Sequence, residues 1–360
     1  MKAAVLEQIG KLDVRDIPVP PCPDEGLLIR VGACAVCGTD VKVYRHGHRL
    51  IAPPRVTGHE IAGTVVEVGK NSRPPAGSEP AGGSQEGSFK VGDRVAVAPA
   101  VPCGECRFCR RGQQTMCDRL TAIGYKYDGG FAEFMAVPPV AARNGCVNRV
   151  PDSLTLEEAA LAEPLACCIN AQELCRVSLG QSVAIIGAGP IGCLHVQLAR
   201  ANGATKAILI DLSANRLRMA QVVHADAYID SSRENAVERV KDETDGYGAD
   251  VVIVACSSGK AQEQGLEMVA KRGVVNFFGG LPKDSPYIRF DSNLAHYREF
   301  SVVGNHGAAP RHNELALALL GAGKIRAKEL ITHRFGITDT LKGILTTEQA
   351  LGLKVVIAEA

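Results

Sequence analysis

The chain has 360 residues, of which 46% are hydrophobic and 22% charged, and its formal net charge is +1. The length favours two domains, and the composition is typical of a soluble globular protein. The balanced charge gives no electrostatic reason to expect nucleic acid or a membrane as a partner. No stretch approaches the ~20 apolar residues of a membrane span.

The number and placement of the cysteines indicate the cellular compartment of the protein. There are 13 of them, an odd number, and several stand in apolar segments, as Cys167, Cys168, Cys193 and Cys256 do. Buried free thiols are typical of a reducing environment. The N-terminal apolar stretch is interrupted at Glu7 and is too short for a signal peptide. We therefore expect a cytoplasmic protein.

The first hundred residues alternate short runs of Val, Ile and Ala with Gly and Pro. LLIRVGA (27–33), EIAGTVVEVG (60–69) and DRVAVAP (93–99) are examples. Such runs predict strands joined by turns, and so a β-rich module. The segment 72–88 is polar and rich in Gly, Pro and Ser, which predicts an exposed, mobile loop.

Two motifs in this module carry side chains that bind metals. They are CGTD, which begins at Cys37, and GHE, which contains His59 and Glu60. A thiolate, an imidazole and a carboxylate can hold one zinc ion and leave a position open for substrate. Glu163, before Pro164, offers a fourth or water-mediated ligand. Alternatively, Glu163 is an ordinary acidic residue at the start of a helix.

A compact cysteine cluster follows at Cys103, Cys106, Cys109 and Cys117, with two, two and seven intervening residues. Four thiolates complete the tetrahedral shell of a structural zinc ion. The alternative is an iron–sulfur cluster, whose bacterial motif places the fourth cysteine after three residues and follows it with proline. Here the gap is seven residues and Asp118 follows, so the spacing predicts zinc.

From about Ser182 the pattern changes to short apolar runs separated by helical stretches. This alternation predicts βαβ units and a parallel sheet with helices on both faces. The alternation ends near Asp291. The tail, with helical ELALALLGAG and strand-like KVVIAEA, is expected to rejoin the first module.

The segment GAGPIG (187–192) follows a predicted strand and precedes a predicted helix. Its glycines permit a tight turn, close approach of a pyrophosphate and close helix–strand packing, in that order along the chain. The diphosphate would lie at the helix N-terminus, where free N–H groups favour negative charge. The residues of this candidate cofactor loop are Gly187, Gly189, Pro190, Ile191 and Gly192.

The next predicted strand ends in Asp211, about twenty residues further on, the position of a ribose-binding carboxylate. Such a carboxylate would repel a 2′-phosphate, so NAD is predicted rather than NADP. Arg216 has two interpretations, because an arginine there can contact a phosphate or lie on a solvated helix face.

In their order and spacing, CGTD, GHE, the four-cysteine loop, EPLAC and GAGPIG resemble the zinc-dependent medium-chain dehydrogenase/reductase family. The resemblance covers nearly the whole chain apart from residues 72–88. Glu163 followed by Pro-Leu is similar to the sorbitol (L-iditol) and other polyol dehydrogenases within that family. The stretch DLSANRL (211–217) is similar to the same branch.

The resemblance implies an α/β protein with two domains. A GroES-like, β-rich catalytic domain would comprise residues 1–150 and 294–360. A doubly wound Rossmann domain with a parallel sheet would comprise residues 151–293 and bind NAD. The resemblance also implies a homodimer or homotetramer, joined near Phe300 to Val303.

It further implies roles for individual residues. Cys37, His59 and Glu163 would surround a catalytic zinc ion, with Glu60 close enough to exchange with water or substrate. Cys103, Cys106, Cys109 and Cys117 would hold a second, structural zinc ion. Thr39 would receive the substrate proton. Lys42 occupies the position at which several relatives have a histidine that completes a proton path. The route by which the proton leaves this site is therefore not assigned.

The implied reaction is transfer of a hydride between a secondary alcohol of a polyol and NAD, which gives a ketone. The alternatives are a cyclitol or amino-cyclitol dehydrogenase and an L-threonine 3-dehydrogenase. A different class is a non-catalytic, zinc-stabilised protein that senses nucleotides. The complete set of Cys37, His59 and Glu163 argues against that class, because a protein that needs only its fold can lose those residues.

Overall fold

The computed structural model describes residues 1–71 and 89–358, so the predicted loop 72–88 lies outside the described residues. The strands in this part of the chain are β1 Lys2–Gln8, β2 Lys11–Asp16, β3 Leu27–Val36, β4 Arg55–Val56, β5 Glu60–Val68, β6 Arg94–Val97, β7 Ala100–Val101, β8 Thr121–Ala122, β9 Phe134–Val137, β10 Val147–Arg149, β11 Ser182–Ile186, β12 Lys206–Asp211, β13 Ala227–Asp230, β14 Ala249–Val254, β15 Val269–Phe277, β16 Ser301–Gly304, β17 Ile331–Phe335 and β18 Lys354–Ala358.

The α-helices are α1 Gly38–His46, α2 Pro139–Arg143, α3 Leu156–Ala160, α4 Ala162–Cys175, α5 Pro190–Ala201, α6 Ala214–Met219, α7 Ala236–Glu243, α8 Gly259–Met268, α9 Ser292–Arg298, α10 Pro310–Gly321 and α11 Thr340–Glu348. Across the described ranges, none of the helices combines the length and the apolar character needed to cross a membrane.

The chain divides into two compact units. The first consists of Met1–Ala166, Gly307–Gly323 and Ala327–Ala360, and the second of Cys167–His306 and Lys324–Arg326. Both boundaries lie later in the chain than the sequence-based ranges 1–150, 151–293 and 294–360.

Packing explains these differences. Leu156 of α3 fills the space above Gly32 of β3, so the segment after residue 150 belongs to the first unit. Asp291, at which the sequence alternation ends, caps helix α9 by accepting the Asn293 N–H at 3.0 Å. Strand β16 then pairs in parallel with β15 and extends the sheet of the second unit.

The first unit is built around a sheet in the order β10-β6-β5-β3-β18-β17, in which β9 also pairs with β3. Strand β3 is central, and its side chains are buried along most of its length, where they form part of the hydrophobic core of this unit. The C-terminal strand β18 runs antiparallel to β3. Smaller sheets, β2-β1-β4 and β7-β8, complete the β-rich module.

The second unit contains a parallel sheet in the order β13-β12-β11-β14-β15-β16. Counted from β11, this is the order 3-2-1-4-5-6, which confirms the predicted Rossmann fold. Its central strands are largely apolar, and Val251 to Val254 have no exposed surface. The carboxyl ends of β11, β12 and β14 lie side by side, which is where this fold binds its cofactor.

Candidate metal and cofactor sites

The four-cysteine cluster lies between β7 and β8. The sulfur atoms of Cys103, Cys106, Cys109 and Cys117 lie within 4.8 Å of one another, and all four thiols are free. The Cys106 N–H donates to Cys103 Sγ, and the Cys103 N–H donates to Cys117 Sγ, both at 3.3 Å. The chain therefore assembles the donor set of a Cys₄ zinc site.

The thiols of this cluster have unequal acidity. Backbone N–H groups, first that of Glu105, lower the pKa of Cys103 to about 6. Burial raises the pKa of Cys109 to about 12. A metal cation would favour the thiolate at every position, because metal ligation requires deprotonated sulfur.

The second cluster contains Cys37, His59 and Glu60, whose ligand atoms also lie within 4.8 Å of one another. Strand pairing brings them together. Strand β3 ends immediately before Cys37, and Glu60 begins β5, which pairs with β3 so that Ala35 faces Glu60. The thiolate, imidazole and carboxylate fit a zinc ion with an open position.

Asp40 supports this cluster from the first turn of α1. Its carboxylate accepts the Cys37 N–H at 2.8 Å, and its Oδ1 lies 3.5 Å from His59 Nδ1. Burial disfavours the charged imidazole, but Asp40, Cys37 and Tyr125 together outweigh it and hold the pKa of His59 well above its usual value. Asp40 thus orients the imidazole, as carboxylates commonly do at metal sites. Sequence reasoning assigned it no role, although it ends the CGTD motif.

Lys354 of β18 contacts the same cluster. Its side chain is buried, and Nζ donates to Glu60 Oε1 at 2.7 Å and to the Val36 carbonyl at 3.0 Å. Burial opposes the charge, but Glu60, Cys37 and Glu163 together outweigh it and raise the pKa of Lys354. Sequence reasoning missed this residue. Its only signal was a lysine at the start of an apolar strand.

Tyr125 lies beside His59. Their ring centroids are 5.9 Å apart, and the Tyr125 ring meets His48 edge-on at 5.0 Å. Burial raises the pKa of Tyr125 to about 12, and the negative charges of Asp40, Cys37 and Glu163 act in the same direction.

Three further residues of the first unit were predicted to belong to this site: Glu163, Thr39 and Lys42. Glu163 is in the first turn of α4, outside the group of three ligands, and its charge acts on both Lys354 and Tyr125. Thr39 is half-buried in the first turn of α1. Lys42 is exposed, and within the described part of the chain it makes no hydrogen bond or ion pair.

The candidate cofactor loop is in the second unit, between β11 and α5. Gly187 has a φ of 117°, a conformation that favours glycine. A Cβ at Gly192 would collide with the Gly187 carbonyl oxygen, so the helix packs against the loop only because Gly192 has no side chain. Gly189 caps α5, Pro190 begins it, and Ile191 follows in its first turn.

Asp211 ends β12 next to this loop. Its Oδ2 accepts the Ala188 N–H at 2.7 Å, and its Oδ1 accepts the Ser213 N–H at 2.8 Å. Arg216 Nη1 lies 3.2 Å from the position that a Cβ would take at Gly189. The arginine is thus placed over the loop.

A cavity of about 290 Å³ opens at the carboxyl ends of the strands in this unit. Gly187, Asp211, Cys256, Ser258 and Lys260 are among the residues that line it. Sequence reasoning did not assign the last three to a site, because nothing in the β14–α8 loop matches a cofactor motif. Its place beside the cofactor loop follows only from the strand order, in which β14 is next to β11.

Two family models match the chain. An alcohol dehydrogenase GroES-like domain matches residues 23–148, and a zinc-binding dehydrogenase domain matches residues 190–321. The sorbitol dehydrogenase of Halalkalibacterium halodurans is 33% identical, over 99% of both chains. The chain belongs to the zinc-dependent medium-chain dehydrogenase/reductase family. The predicted GroES-like domain is therefore confirmed, and the protein is an oxidoreductase of this family.

Other members are similar along their whole length. The D-xylulose reductase A of Aspergillus oryzae is 32% identical, over 98% of this chain and 95% of the reductase. The structure of a zinc-binding dehydrogenase from Sinorhizobium meliloti, bound to NADP, has a TM-score of 0.89 at 32% identity and 99% coverage of both chains. Zinc and a nicotinamide cofactor fit this family, and both donor clusters fit zinc.

Proposed function

We propose that this protein oxidises a secondary alcohol of a polyol to a ketone with NAD⁺ and catalyses the reverse reduction with NADH. The observation that carries the proposal is the convergence of Cys37, His59 and Glu60, supported by Asp40 and Lys354. The similarity to a sorbitol dehydrogenase and a D-xylulose reductase favours polyols as the substrate class.

In this proposal Cys37, His59 and Glu163 hold the catalytic zinc ion, and Glu60 exchanges with water or substrate. A zinc ion bound there would act as a Lewis acid toward the substrate oxygen. Asp40 keeps the His59 imidazole oriented, and Lys354 compensates the buried charge of Glu60. The four-cysteine cluster holds a second, structural zinc ion.

Thr39 is proposed to accept the proton of the reacting alcohol while it passes its own hydroxyl proton on, through the nicotinamide ribose hydroxyl of a bound cofactor, towards solvent. Thr39 is half-buried in the first turn of α1, two residues after Cys37. Positioned proton acceptors of this kind typically contribute ~10²–10⁴-fold to a rate. The exposure of Lys42 supports exit of the proton directly to water rather than through this side chain.

NAD is proposed as the preferred cofactor. Two backbone N–H groups hold the Asp211 carboxylate at the end of β12, where it would bind ribose hydroxyls and repel a 2′-phosphate. Arg216 is proposed to contact the diphosphate, because it lies over Gly189. Gly187, Pro190, Ile191 and Gly192 complete the loop that accommodates the diphosphate.

We also propose a cytoplasmic homodimer or homotetramer. Strand β16 is the last strand of its sheet, and Val302 is exposed there, which supports pairing with a second copy through this edge. The free thiols of all 13 cysteines support a reducing compartment. Light scattering that gives a 38.0 kDa particle would contradict the assembly.

A substrate panel tests the activity. NADH absorbance would be followed with sorbitol, xylitol, a cyclitol, L-threonine and 2-butanol, with zinc content measured on the same preparation. The proposal predicts the highest kcat/KM for a polyol and two zinc ions per chain. A higher kcat/KM for the cyclitol or for L-threonine would show that polyols are not the preferred substrate class. Absence of turnover with one zinc ion per chain would favour a non-catalytic protein.

A further inference from the structure

Tyr125 is held in place by a tight turn between β8 and β9. The Ala122 carbonyl accepts the N–H groups of Tyr125, Lys126 and Tyr127 at 3.0 to 3.3 Å, and Gly124 donates to the Tyr127 carbonyl at 2.9 Å. A Cβ at Gly124, whose φ is +82°, would lie 2.8 Å from the carbonyl oxygen of Gly58. The turn therefore packs directly on the backbone that precedes His59.

The surroundings of the Tyr125 ring restrict its orientation. The His59 and His48 rings contact it at centroid distances of 5.9 and 5.0 Å. The ring also packs against the small apolar cluster of Leu6, Val43 and Ile51. Because this cluster includes Val43 of α1, Tyr125 packs against the helix whose first turn holds Thr39.

The hydroxyl of Tyr125 has no hydrogen-bond partner among the described protein groups. Within residues 1–71 and 89–358 it makes no hydrogen bond, although the side chain is half-buried. It lies close enough to the metal-binding cluster to feel the charges of Cys37, Asp40 and Glu163. A phenol is both a donor and an acceptor at neutral pH. A hydroxyl beside the metal-binding cluster that no protein group engages can form a hydrogen bond with a bound ligand.

We propose that the Tyr125 hydroxyl hydrogen-bonds a substrate hydroxyl adjacent to the carbon that is oxidised, and so selects polyhydroxylated substrates over simple secondary alcohols. This inference rests on the proposed function and names a specificity residue for the same site. A sugar alcohol carries such a neighbouring hydroxyl, and 2-butanol does not. A site built to bond a substrate hydroxyl discriminates against an analogue that lacks it, because a polar group is left unpaired.

The test compares Tyr125→Phe with Tyr127→Phe. Both remove one phenolic hydroxyl from the same turn, but Tyr127 packs against the core of the first unit and lines a different cavity, with Met1 and Ile17. For Tyr125→Phe, we expect kcat/KM for sorbitol and xylitol to fall about tenfold, the loss of one net hydrogen bond. Turnover of 2-butanol should stay within about twofold, and Tyr127→Phe should leave the ratio of the two substrate classes unchanged.

A binding measurement gives a readout independent of turnover. The chain has seven tyrosines and no tryptophan, so the tyrosine band of the near-ultraviolet difference spectrum, recorded against the enzyme–NADH complex, is free of tryptophan absorption. Titration with sorbitol in the presence of NADH should perturb that spectrum in the wild type and in Tyr127→Phe. The perturbation should be lost or strongly reduced in Tyr125→Phe.

The outcomes separate the inference from the proposed function. If the wild type uses sorbitol or xylitol and Tyr125→Phe leaves the ratio of kcat/KM for polyol and 2-butanol unchanged, the role of Tyr125 is overturned. The proposed polyol activity then stands. Equal losses on both substrate classes also overturn the inference, because they indicate a structural role. A wild type that prefers 2-butanol to both polyols overturns the proposed function and the inference together.

Discussion

Lys354 Nζ donates a 2.7 Å hydrogen bond to Glu60 Oε1, across 294 residues of sequence. The two side chains are 4% and 1% exposed, so this is a buried ion pair. The same ammonium also donates to the carbonyl of Val36, directly before Cys37. The C-terminal strand thus contributes the cation that compensates a carboxylate of the candidate metal site.

Removing this cation should destabilise the fold. Lys354→Met leaves Glu60 buried without its partner, and breaking a buried pair in this way typically costs about 3–5 kcal/mol. The pKa of Lys354 is raised, so its contribution is present at neutral pH and is lost only in alkali, as pH rises through the raised pKa. Urea unfolding at neutral pH measures the effect.

Lys328→Met is the matched control, since Lys328 is exposed in the same unit. Its free energy of unfolding should change by less than about 0.5 kcal/mol. Equal effects of the two substitutions would show that the Lys354–Glu60 pair contributes nothing specific.

Cys106→Ala should remove one of two zinc ions per chain and lower the melting temperature. Four thiolates form a closed shell, and a structural zinc ion contributes directly to the free energy of folding. Elemental analysis and thermal unfolding check both effects. Cys22→Ala, a half-buried cysteine outside both clusters, should keep two zinc ions. Iron in the wild type, or no loss of zinc from Cys106→Ala, would refute the assignment.

Asp211 should make NAD⁺ the better cofactor. The wild type is expected to have a higher kcat/KM with NAD⁺ than with NADP⁺, and Asp211→Ala should narrow the difference because it removes the negative charge. Asp211→Asn separates charge from structure, since its amide oxygen can still accept the Ala188 or Ser213 N–H. A wild type that uses NADP⁺ equally well or better would show that the ribose assignment is wrong.

His195 should make the second unit sensitive to acid. Burial lowers the pKa of His195 to about 3. The unfolded chain binds a proton at an ordinary histidine pKa of ~6.5, so between these values it holds more protons than the folded chain. Stability is therefore expected to fall with decreasing pH, by about 2 kcal/mol between pH 7.5 and pH 5 from this residue.

Urea unfolding of the wild type and two variants at pH 7.5 and pH 5 isolates the contribution of His195 to the free energy of unfolding. His195→Phe keeps a ring against Phe278, which the imidazole now meets edge-on at 5.0 Å. The variant should lose about 2 kcal/mol of the pH dependence. His296→Phe, at an exposed position in the same unit, should retain it. The same pH dependence in all three proteins would contradict the buried neutral imidazole.

Local spacing predicted the features whose parts lie close in sequence. The four cysteines lie within one loop, and Gly192 is required by the carbonyl of Gly187 only five residues earlier. The alternation of strands and helices also predicted the parallel sheet, because each βαβ unit forms from neighbouring segments.

Features formed by distant pairing could not be predicted in this way. Lys354 meets Glu60 because β18 and β5 both pair with β3, and that register depends on the whole sheet. Tyr125 has no motif, and its position beside His59 follows from a turn packed on Gly58. The second compact unit extends to His306, beyond the sequence-based limit of 293, because β16 pairs with β15 after α9, and that pairing leaves no local signal in the sequence.

The most direct test of the proposed reaction is NADH formation from sorbitol and xylitol by Cys37→Ala, with zinc measured on the same sample. Cys37 belongs to the catalytic cluster and lies outside the four-cysteine cluster. We expect a folded protein with one zinc ion per chain and at least a hundredfold loss of kcat, in line with removal of a catalytic group. A Cys37→Ala protein that keeps two zinc ions, or oxidises either polyol at the wild-type rate, would show that the reaction does not take place at Cys37, His59 and Glu60.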